Sequence, residues 1–156
     1  MNYQLDEIDK KILDFLVENT RMPFTEIAKQ MDVSAGTIHV RVKKMEDAGI
    51  ILGSSLNIDY GKLDYHFTAF IGILLTKSNR THDVLKELST IPNVIEASVI
   101  SGKYNIFVKV RAKNTEDAKR IIYQIDDIQD VMRTESMISM EEFLSDKNRL
   151  IDAVSI

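Results

Sequence analysis

A cluster of positive charge lies between residues 34 and 45 of a chain that is acidic overall. Arg41, Lys43 and Lys44 fall in this stretch, which contains no aspartate or glutamate, whereas the whole chain has a formal net charge of −4. Gly36 and Thr37 come just before these cations. Basic side chains neutralise phosphates, and small or hydroxyl-bearing residues can approach the edges of bases. This combination is typical of a surface that contacts nucleic acid.

The stretch has the pattern of one amphipathic helix that ends near residue 48. Ser34 is a good N-cap and Gly49 suits a left-handed helix exit. Helical spacing places one set of apolar residues on the inner face: Ala35, Ile38, Val42 and Met45. The opposite face and its flanks carry the residues that we predict to contact the major groove of DNA: Ser34, Gly36, Thr37, Val40, Arg41, Lys43 and Lys44.

Several of these side chains also have a purely structural interpretation. Arg41 lies at the edge of the inner face, so it can contact a phosphate or pair within the chain, for example with an acidic group of the first helix or with Glu46. Lys43 and Lys44 can be a solvated helix face, although a helix-turn-helix favours contact with phosphates or bases. The pattern favours a surface position over base contact for His39.

The residues before this helix predict two more helices. Residues 5–18 have an apolar face and Asp6 as a candidate N-cap. Pro23 is tolerated at a helix start but not inside a helix, which predicts a second helix over residues 24–31. Three short helices with a tight turn before the third form a helix-turn-helix. An apolar run over residues 50–58 predicts a following strand, and hence a winged or hairpin-flanked variant.

The rest of the chain changes to a mixed pattern, so the predicted class is α+β. Residues 59–65 are polar and predict a linker between a domain at 1–58 and a domain at 66–156. The second domain alternates as β-α-β-β-α-β, the ferredoxin-like plan. Its predicted strands are residues 66–75, 93–101, 104–111 and 131–140, and its predicted helices are residues 81–89 and a segment that is capped by Asn114 or Thr115.

Two features of this second domain concern its edges and surfaces. Gly102 and Lys103 predict a two-residue turn between the central strands, and alternation places Tyr104 on the same face as Ile106. The helices can cover one sheet face, yet the first strand has apolar residues on both. The uncovered face predicts sheet packing against a second copy of the chain. The tail, residues 144–156, fits either a short helix or a strand.

The composition excludes several classes of protein and site. The chain has no cysteine, which removes disulfides and thiolate sites, and a pI near 5.4 argues against binding nucleic acid through bulk charge. The three histidines, His39, His66 and His82, lack metal-ligand spacing, and no nucleotide-binding or nucleophile motif is present. We therefore predict a protein that is not an enzyme and needs no cofactor. The first residues have no signal pattern and no apolar run has membrane-spanning length, which predicts a cytoplasmic location without membrane contact.

Three motifs in order resemble the Lrp/AsnC family, the leucine-responsive or feast/famine regulators. The sequence LDEIDKKIL at residues 5–13 is similar to the opening of the family. Residues 34–51 match its recognition-helix motif, and ISGKYN at residues 100–105 is similar to its effector loop. Asn105 stands where the family pattern commonly has aspartate, so it accepts a hydrogen bond but contributes no charge. The resemblance covers nearly the whole chain.

The resemblance implies partners for both domains. It implies that the first domain binds double-stranded DNA, and that the second forms homodimers, four of which assemble into an octamer. It also implies an amino acid or related effector at the loop, where turn N–H groups can hold a carboxylate. The expected effector-binding residues are Ser101, Gly102, Lys103, Tyr104, Asn105, Thr134 and Ser136.

The predicted function is sequence-specific transcriptional regulation through DNA binding, modulated by a small metabolite acting on the oligomer. The alternative is a small-molecule sensor or assembly scaffold without specific DNA binding. The complete recognition-helix motif favours the first of these two functions, and saturable, sequence-selective DNA binding distinguishes them.

Overall fold

The computed structural model describes residues 3–146 and 148–154, which form two compact units. The first unit contains the chain up to Asn57 together with the tail from Leu144, and the second contains Ile58–Phe143. Within the described residues, no helix is both long enough and apolar enough to span a bilayer.

The first unit contains the three predicted helices. They are α1 (Glu7–Glu18), α2 (Phe24–Met31) and α3 (Ala35–Asp47). Their buried faces meet in one apolar core that includes Ile12, Ile27, Ile38 and Met45, all at 0% exposure. The short connection between α2 and α3 makes this a helix-turn-helix, as the sequence predicted.

Side-chain caps explain where α1 and α3 begin. The Asp6 carboxylate accepts from the backbone N–H groups of Ile8 and Asp9, and the Asp9 carboxylate accepts from the Asp6 N–H in return. This capping box satisfies N–H groups that have no partner within the helix. The Ser34 hydroxyl accepts from the Thr37 N–H in the same way at the start of α3.

The strand predicted at residues 50–58 is not observed, so the helix-turn-helix has no wing within the described part of the chain. Residues 51–59 form neither a helix nor a strand. Ile51 packs against the helical core, whereas Leu52 and Leu56 are 92% and 71% exposed. Within this segment Gly53 has a φ of 139°, outside the range of a regular strand. Sequence pattern favoured a strand, but a strand needs a neighbouring backbone to pair with.

The second unit is the predicted β-α-β-β-α-β fold. Its elements are β1 (Phe67–Leu75), α4 (Thr81–Leu88), β2 (Val94–Val99), β3 (Ile106–Ala112), α5 (Thr115–Asp126) and β4 (Val131–Ile138). The strands form one antiparallel sheet in the order β2-β3-β1-β4. Asn114 caps α5 by accepting from the Asp117 N–H, which decides between the two predicted caps.

The two sheet faces differ in how they are covered. One face packs on α4 and α5 and carries the main core, including Ile71, Ile73 and Val108 at 0% exposure. On the other face the register aligns Phe70 with Lys109 and Gly72 with Phe107. The rings of Phe70 and Phe107 stack there with centroids 6.0 Å apart.

The connection between β2 and β3 differs from the predicted two-residue turn. It spans residues 100–105, because β2 ends at Val99 and β3 begins at Ile106. Tyr104 therefore lies outside the strand, and its ring covers Gly72 on the face opposite the helices. The prediction that Tyr104 shares a face with Ile106 is wrong, because alternation holds only within a paired strand.

The tail and the predicted linker each form one short 3₁₀ helix. Residues 149–153 make one turn, and Ile151 packs against the core of the helical unit. The tail thus groups with the first unit, although the sequence analysis assigned residues 66–156 to a single C-terminal domain. Tyr60–Leu63 makes the other turn, capped by Asp59.

Candidate functional site

The N-terminal half of α3 presents small and hydroxyl-bearing groups at the surface. The Ser34 hydroxyl lies 2.8 Å from the Thr37 hydroxyl and accepts from the Thr37 N–H at 3.0 Å. Gly36 is exposed, and Val40 is 52% exposed although it is apolar. An exposed apolar side chain beside hydroxyls suits a groove that offers both hydrogen-bonding edges and thymine methyl groups.

The two lysines of α3 differ in their partners. Lys43 donates to the Asp47 carboxylate at 2.8 Å, one turn further along the helix, and this hydrogen bond raises the pKa of Lys43. Lys44 is exposed and has no hydrogen-bond or salt-bridge partner within residues 3–146 and 148–154. Its charge is therefore available to a phosphate without first breaking an ion pair.

Arg41 forms an ion pair within the chain. This is one of the two roles that the sequence allowed, the other being contact with a phosphate. Its Nη1 atom donates to Asp6 Oδ2 at 2.7 Å and to Asp9 Oδ1 at 2.9 Å. The Tyr3 hydroxyl completes the cluster by donating to Asp9 Oδ2 at 3.0 Å. These bonds raise the pKa of Arg41. The pKa of Asp6 is lowered, mainly because its carboxylate accepts from the Asp9 N–H and secondly because it accepts from Arg41.

One open depression of about 520 Å³ runs beside α3 and gathers most of the predicted DNA-contacting residues. Its α3 lining consists of Gly36, Thr37, Val40, Arg41 and Lys44. The other lining residues come from the N-terminal segment and the start of α1: Tyr3, Gln4, Asp6 and Asp9. The sequence analysis did not include Tyr3 or Gln4, because no local pattern marks a residue that precedes a helix as a neighbour of α3.

A second cluster forms where the loop at residues 100–105 crosses the sheet face opposite α4 and α5, which we call the open sheet face. The Lys103 ammonium donates to Glu135 Oε2 at 2.7 Å, and the Tyr104 hydroxyl donates to the same oxygen at 2.6 Å. Lys103 lowers the pKa of Glu135, and Glu135 raises the pKa of Lys103. The sequence analysis missed Glu135, although its position between Thr134 and Ser136 places it on the opposite sheet face from both.

The remaining loop residues divide into exposed and anchored positions. Ser101 and Gly102 are exposed, and Gly102 has a φ of 117°, a conformation that favours glycine. The Asn105 side-chain oxygen accepts from the Leu75 N–H at 2.9 Å, and its own N–H donates to the Ile73 carbonyl. Asn105 therefore holds the loop against β1.

Thr134 and Ser136 are not brought together with the loop side chains within one chain. They align with Ile73 and Ile71 on the helix-covered face, whereas Tyr104 and Glu135 occupy the other face. The Thr134 hydroxyl donates to the Asp126 carboxylate of α5 at 2.7 Å.

No group of three His, Asp or Glu side chains within the described ranges is arranged to hold a metal ion. The histidines lie in separate elements: His39 on α3, His66 before β1 and His82 on α4.

Family models match both units of the chain. The AsnC-type helix-turn-helix domain matches residues 5–46, and the Lrp/AsnC ligand binding domain matches residues 68–148. The first match covers the helices with the Arg41 cluster, and the second covers the sheet and the loop.

Similar proteins match over most of the chain. Regulatory protein AsnC of Haemophilus influenzae is 39% identical over 140 residues, which cover 89% of this chain and 93% of that protein. Regulatory protein AsnC of Escherichia coli is 38% identical over 141 residues, which cover 90% of this chain and 93% of that protein. The solved structure of E. coli AsnC superimposes with a TM-score of 0.87 at 35% identity, covering 92% of this chain and 97% of that one.

A transcriptional regulator from Neisseria meningitidis, solved as a complex with L-Met, has the same fold. Its TM-score is 0.87 at 20% identity, with coverage of 93% of this chain and 96% of that one.

Proposed function

This chain belongs to the Lrp/AsnC family of DNA-binding transcriptional regulators, which carry a small-molecule-binding domain, and from that premise we propose which of its residues contact DNA and effector. The proposal assigns DNA recognition to the exposed face of α3. It assigns effector binding to the loop at residues 100–105. The observation that carries the DNA assignment is Lys44, which lines the same depression as Thr37 and Val40, is exposed, and has no ion-pair partner among the described residues.

The residues that we propose to contact DNA have distinct roles. Gly36 and Thr37, at the start of the helix, approach base edges in the major groove, and Val40 contacts a thymine methyl group. Lys44 contacts a phosphate directly, and Lys43 does so after leaving Asp47. Ser34 contributes as the cap that orients the first turn.

The proposed DNA-binding unit is a homodimer formed through the open sheet face. The stacked rings of Phe70 and Phe107 offer an apolar surface for a second copy. A two-fold dimer would place two α3 helices about 34–36 Å apart, one turn of DNA. The octamer of four dimers, implied by the resemblance, is the assembly that an effector would shift.

The proposed effector is an amino acid bound at the loop. The exposed backbone N–H groups of Ser101 and Gly102 suit a carboxylate. Glu135 supplies the negative charge that Asn105 lacks, so the effector ammonium would compete with Lys103 for it. Thr134 and Ser136 would contribute from a neighbouring copy, because they face away from the loop of their own chain.

The remaining parts of the proposal follow from this function. The relatives are bacterial and archaeal proteins, whose chromosomes lie in the cytoplasm, so we propose that this regulator acts there and that its activity is binding rather than catalysis.

The DNA assignment is tested with a duplex that the wild-type protein selects from a randomised library. Lys44→Glu removes one phosphate contact and adds repulsion, so we expect at least about 10-fold weaker binding and a salt slope shallower by about 0.9. The matched control is Lys86→Glu, which makes the same charge change on α4 at a side chain that is 80% exposed. Unchanged affinity of Lys44→Glu would remove it from the interface, and failure to select any duplex would favour the scaffold alternative.

The effector assignment is tested by light scattering with a panel of amino acids. Gly102→Asp introduces a charge and a side chain at a φ of 117°, so we expect loss of any effector-dependent change in assembly, with basal DNA binding retained. Asn79→Asp adds the same charge at an exposed position of the short 3₁₀ turn before α4 and serves as the control. A normal response in Gly102→Asp would contradict the loop assignment.

A further inference from the structure

Asp9 is a charged side chain buried in the helical unit, with 1% of its surface exposed. It is also the one buried ionisable residue in the part of the chain that the structure describes. Removing a carboxylate from water is costly unless the charge is paired and its oxygens are hydrogen-bonded. Asp9 meets both conditions, because it accepts from Arg41, from the Tyr3 hydroxyl and from the Asp6 N–H.

The cation of this pair comes from the middle of α3. One nitrogen, Arg41 Nη1, donates to both Asp9 and Asp6, so a single atom of α3 is tied to the first turn of α1 at two points. The Arg41 side chain is 25% exposed. A guanidinium is planar and pre-organised, so such contacts restrict the rotation of α3 about its own axis as well as its distance from α1.

The position of Arg41 in α3 links this restraint to the DNA-facing surface. Arg41 directly follows Val40, lies four residues after Thr37 and three before Lys44. All four line the same depression. A rotation of α3 that broke the Asp9–Arg41 pair would therefore move the base-facing side chains together.

We propose that Asp9 and Arg41 are positioning residues for sequence recognition: they orient α3 so that its exposed face reads bases, and Arg41 itself makes no phosphate contact. This inference rests on the proposed function of α3. Because two carboxylates already hold Nη1, the pair supplies no net positive charge to the interface. It therefore contributes to discrimination between sequences and not to general attraction for DNA.

If the Asp9–Arg41 pair orients α3, substitutions of the pair should affect the binding of two duplexes differently. One duplex is selected by the wild-type protein from a randomised library, and the other is a scrambled version of equal length and composition. For the double variant Asp9→Asn/Arg41→Gln, which removes both charges of the pair and leaves no unpaired buried carboxylate, we expect about 10-fold weaker binding to the selected duplex, within the range for one lost base contact, and nearly unchanged binding to the scrambled one. The salt slope should stay unchanged, since no counterion release is lost.

Asp9→Asn and Arg41→Lys complete the set. Asp9→Asn keeps the shape but removes the charge, and Arg41→Lys keeps the charge but loses the planar fork, so both should lower the ratio of specific to non-specific affinity. Asp14→Asn is the matched control, because it breaks the exposed Lys10–Asp14 pair of the same helix. If Asp9→Asn does not fold, as judged by circular dichroism, the two Arg41 variants carry the test.

Distinct results overturn this inference and the function on which it rests. If the double variant Asp9→Asn/Arg41→Gln weakens binding to both duplexes equally and makes the salt slope shallower by about 0.9, then Arg41 is a phosphate contact. If the affinity ratio is unchanged in all folded variants, the pair only stabilises the fold. If Lys44→Glu also leaves binding unchanged, the assignment of α3 fails instead.

Discussion

Gly72 provides the sharpest test of the loop geometry, because the ring of Tyr104 lies directly over it. A Cβ atom built at Gly72 would lie 2.7 Å from three carbons of that ring. Non-bonded carbons are most stable at about 3.5–4.0 Å, so Gly72→Ala requires the ring to move by about 1 Å. The ring has little freedom to do so, because the Tyr104 hydroxyl is held by Glu135 at 2.6 Å.

The expected magnitude has two opposing parts. Overpacking of this kind costs about 1–3 kcal/mol, whereas replacing a strand glycine with alanine gains about 0.5–1 kcal/mol from the unfolded state. Gly72→Ala should therefore lower the free energy of unfolding by about 1 kcal/mol, and by at most about 2.5 kcal/mol. In a Tyr104→Ala background the ring is absent, and the same substitution should raise the free energy of unfolding by about 0.5–1 kcal/mol.

This double-mutant cycle is measured by urea unfolding of the full chain, followed by circular dichroism at one fixed protein concentration. The reversal of sign is the diagnostic result, because it isolates the contact between the two residues from the intrinsic cost of glycine. An equal effect of Gly72→Ala in both backgrounds would show that the ring does not restrict this position.

Three further predictions concern the local features that determine the helices. Asp32 ends α2 with a φ of 54°, so Asp32→Gly should relieve left-handed strain and raise the free energy of urea unfolding by up to about 1 kcal/mol, whereas Asp32→Ala should not. Asn114→Ala removes the cap of α5 and should cost about 0.5–2 kcal/mol in the same assay. The Lys113 N–H and then Arg120 lower the pKa of Asp117 below 3.8, so its stabilising effect is present above that pH and disappears as the pH falls through the folded-state pKa. The urea midpoints of wild type and Asp117→Asn should therefore differ near neutral pH and converge in acid, and a constant difference would contradict this linkage.

Local pattern was sufficient for the elements of both units. Capping residues and apolar spacing predicted α1, α2 and α3 to within two residues at each end, because helix starts and buried faces depend on neighbours in sequence. Alternation likewise predicted the four strands and the order of the second unit. The resemblance to Lrp/AsnC regulators, now confirmed for the family, rested on motifs within these same elements.

Pattern was misleading where an outcome depended on a partner distant in sequence. Residues 50–58 have strand-like composition, but no described backbone pairs with them. Tyr104 continues the alternation of β3 in sequence, yet it leaves the sheet because Gly72 offers space on the opposite face. The tail allowed either a helix or a strand, and contact of Ile151 with the helical core accompanies its single 3₁₀ turn.

In the candidate sites, too, some features depend on neighbours in sequence and others on partners distant in sequence. The sequence by itself determined which side chains α3 exposes, since that follows from helical geometry alone. The sequence left Arg41 a choice between a phosphate and an acidic partner, and only the tertiary structure assigned it to Asp9, 32 residues away, and Tyr104 to Glu135, 31 residues away. The physical reason is that a charge or a ring finds its partner through packing of whole elements, and residue spacing along the chain does not encode that proximity.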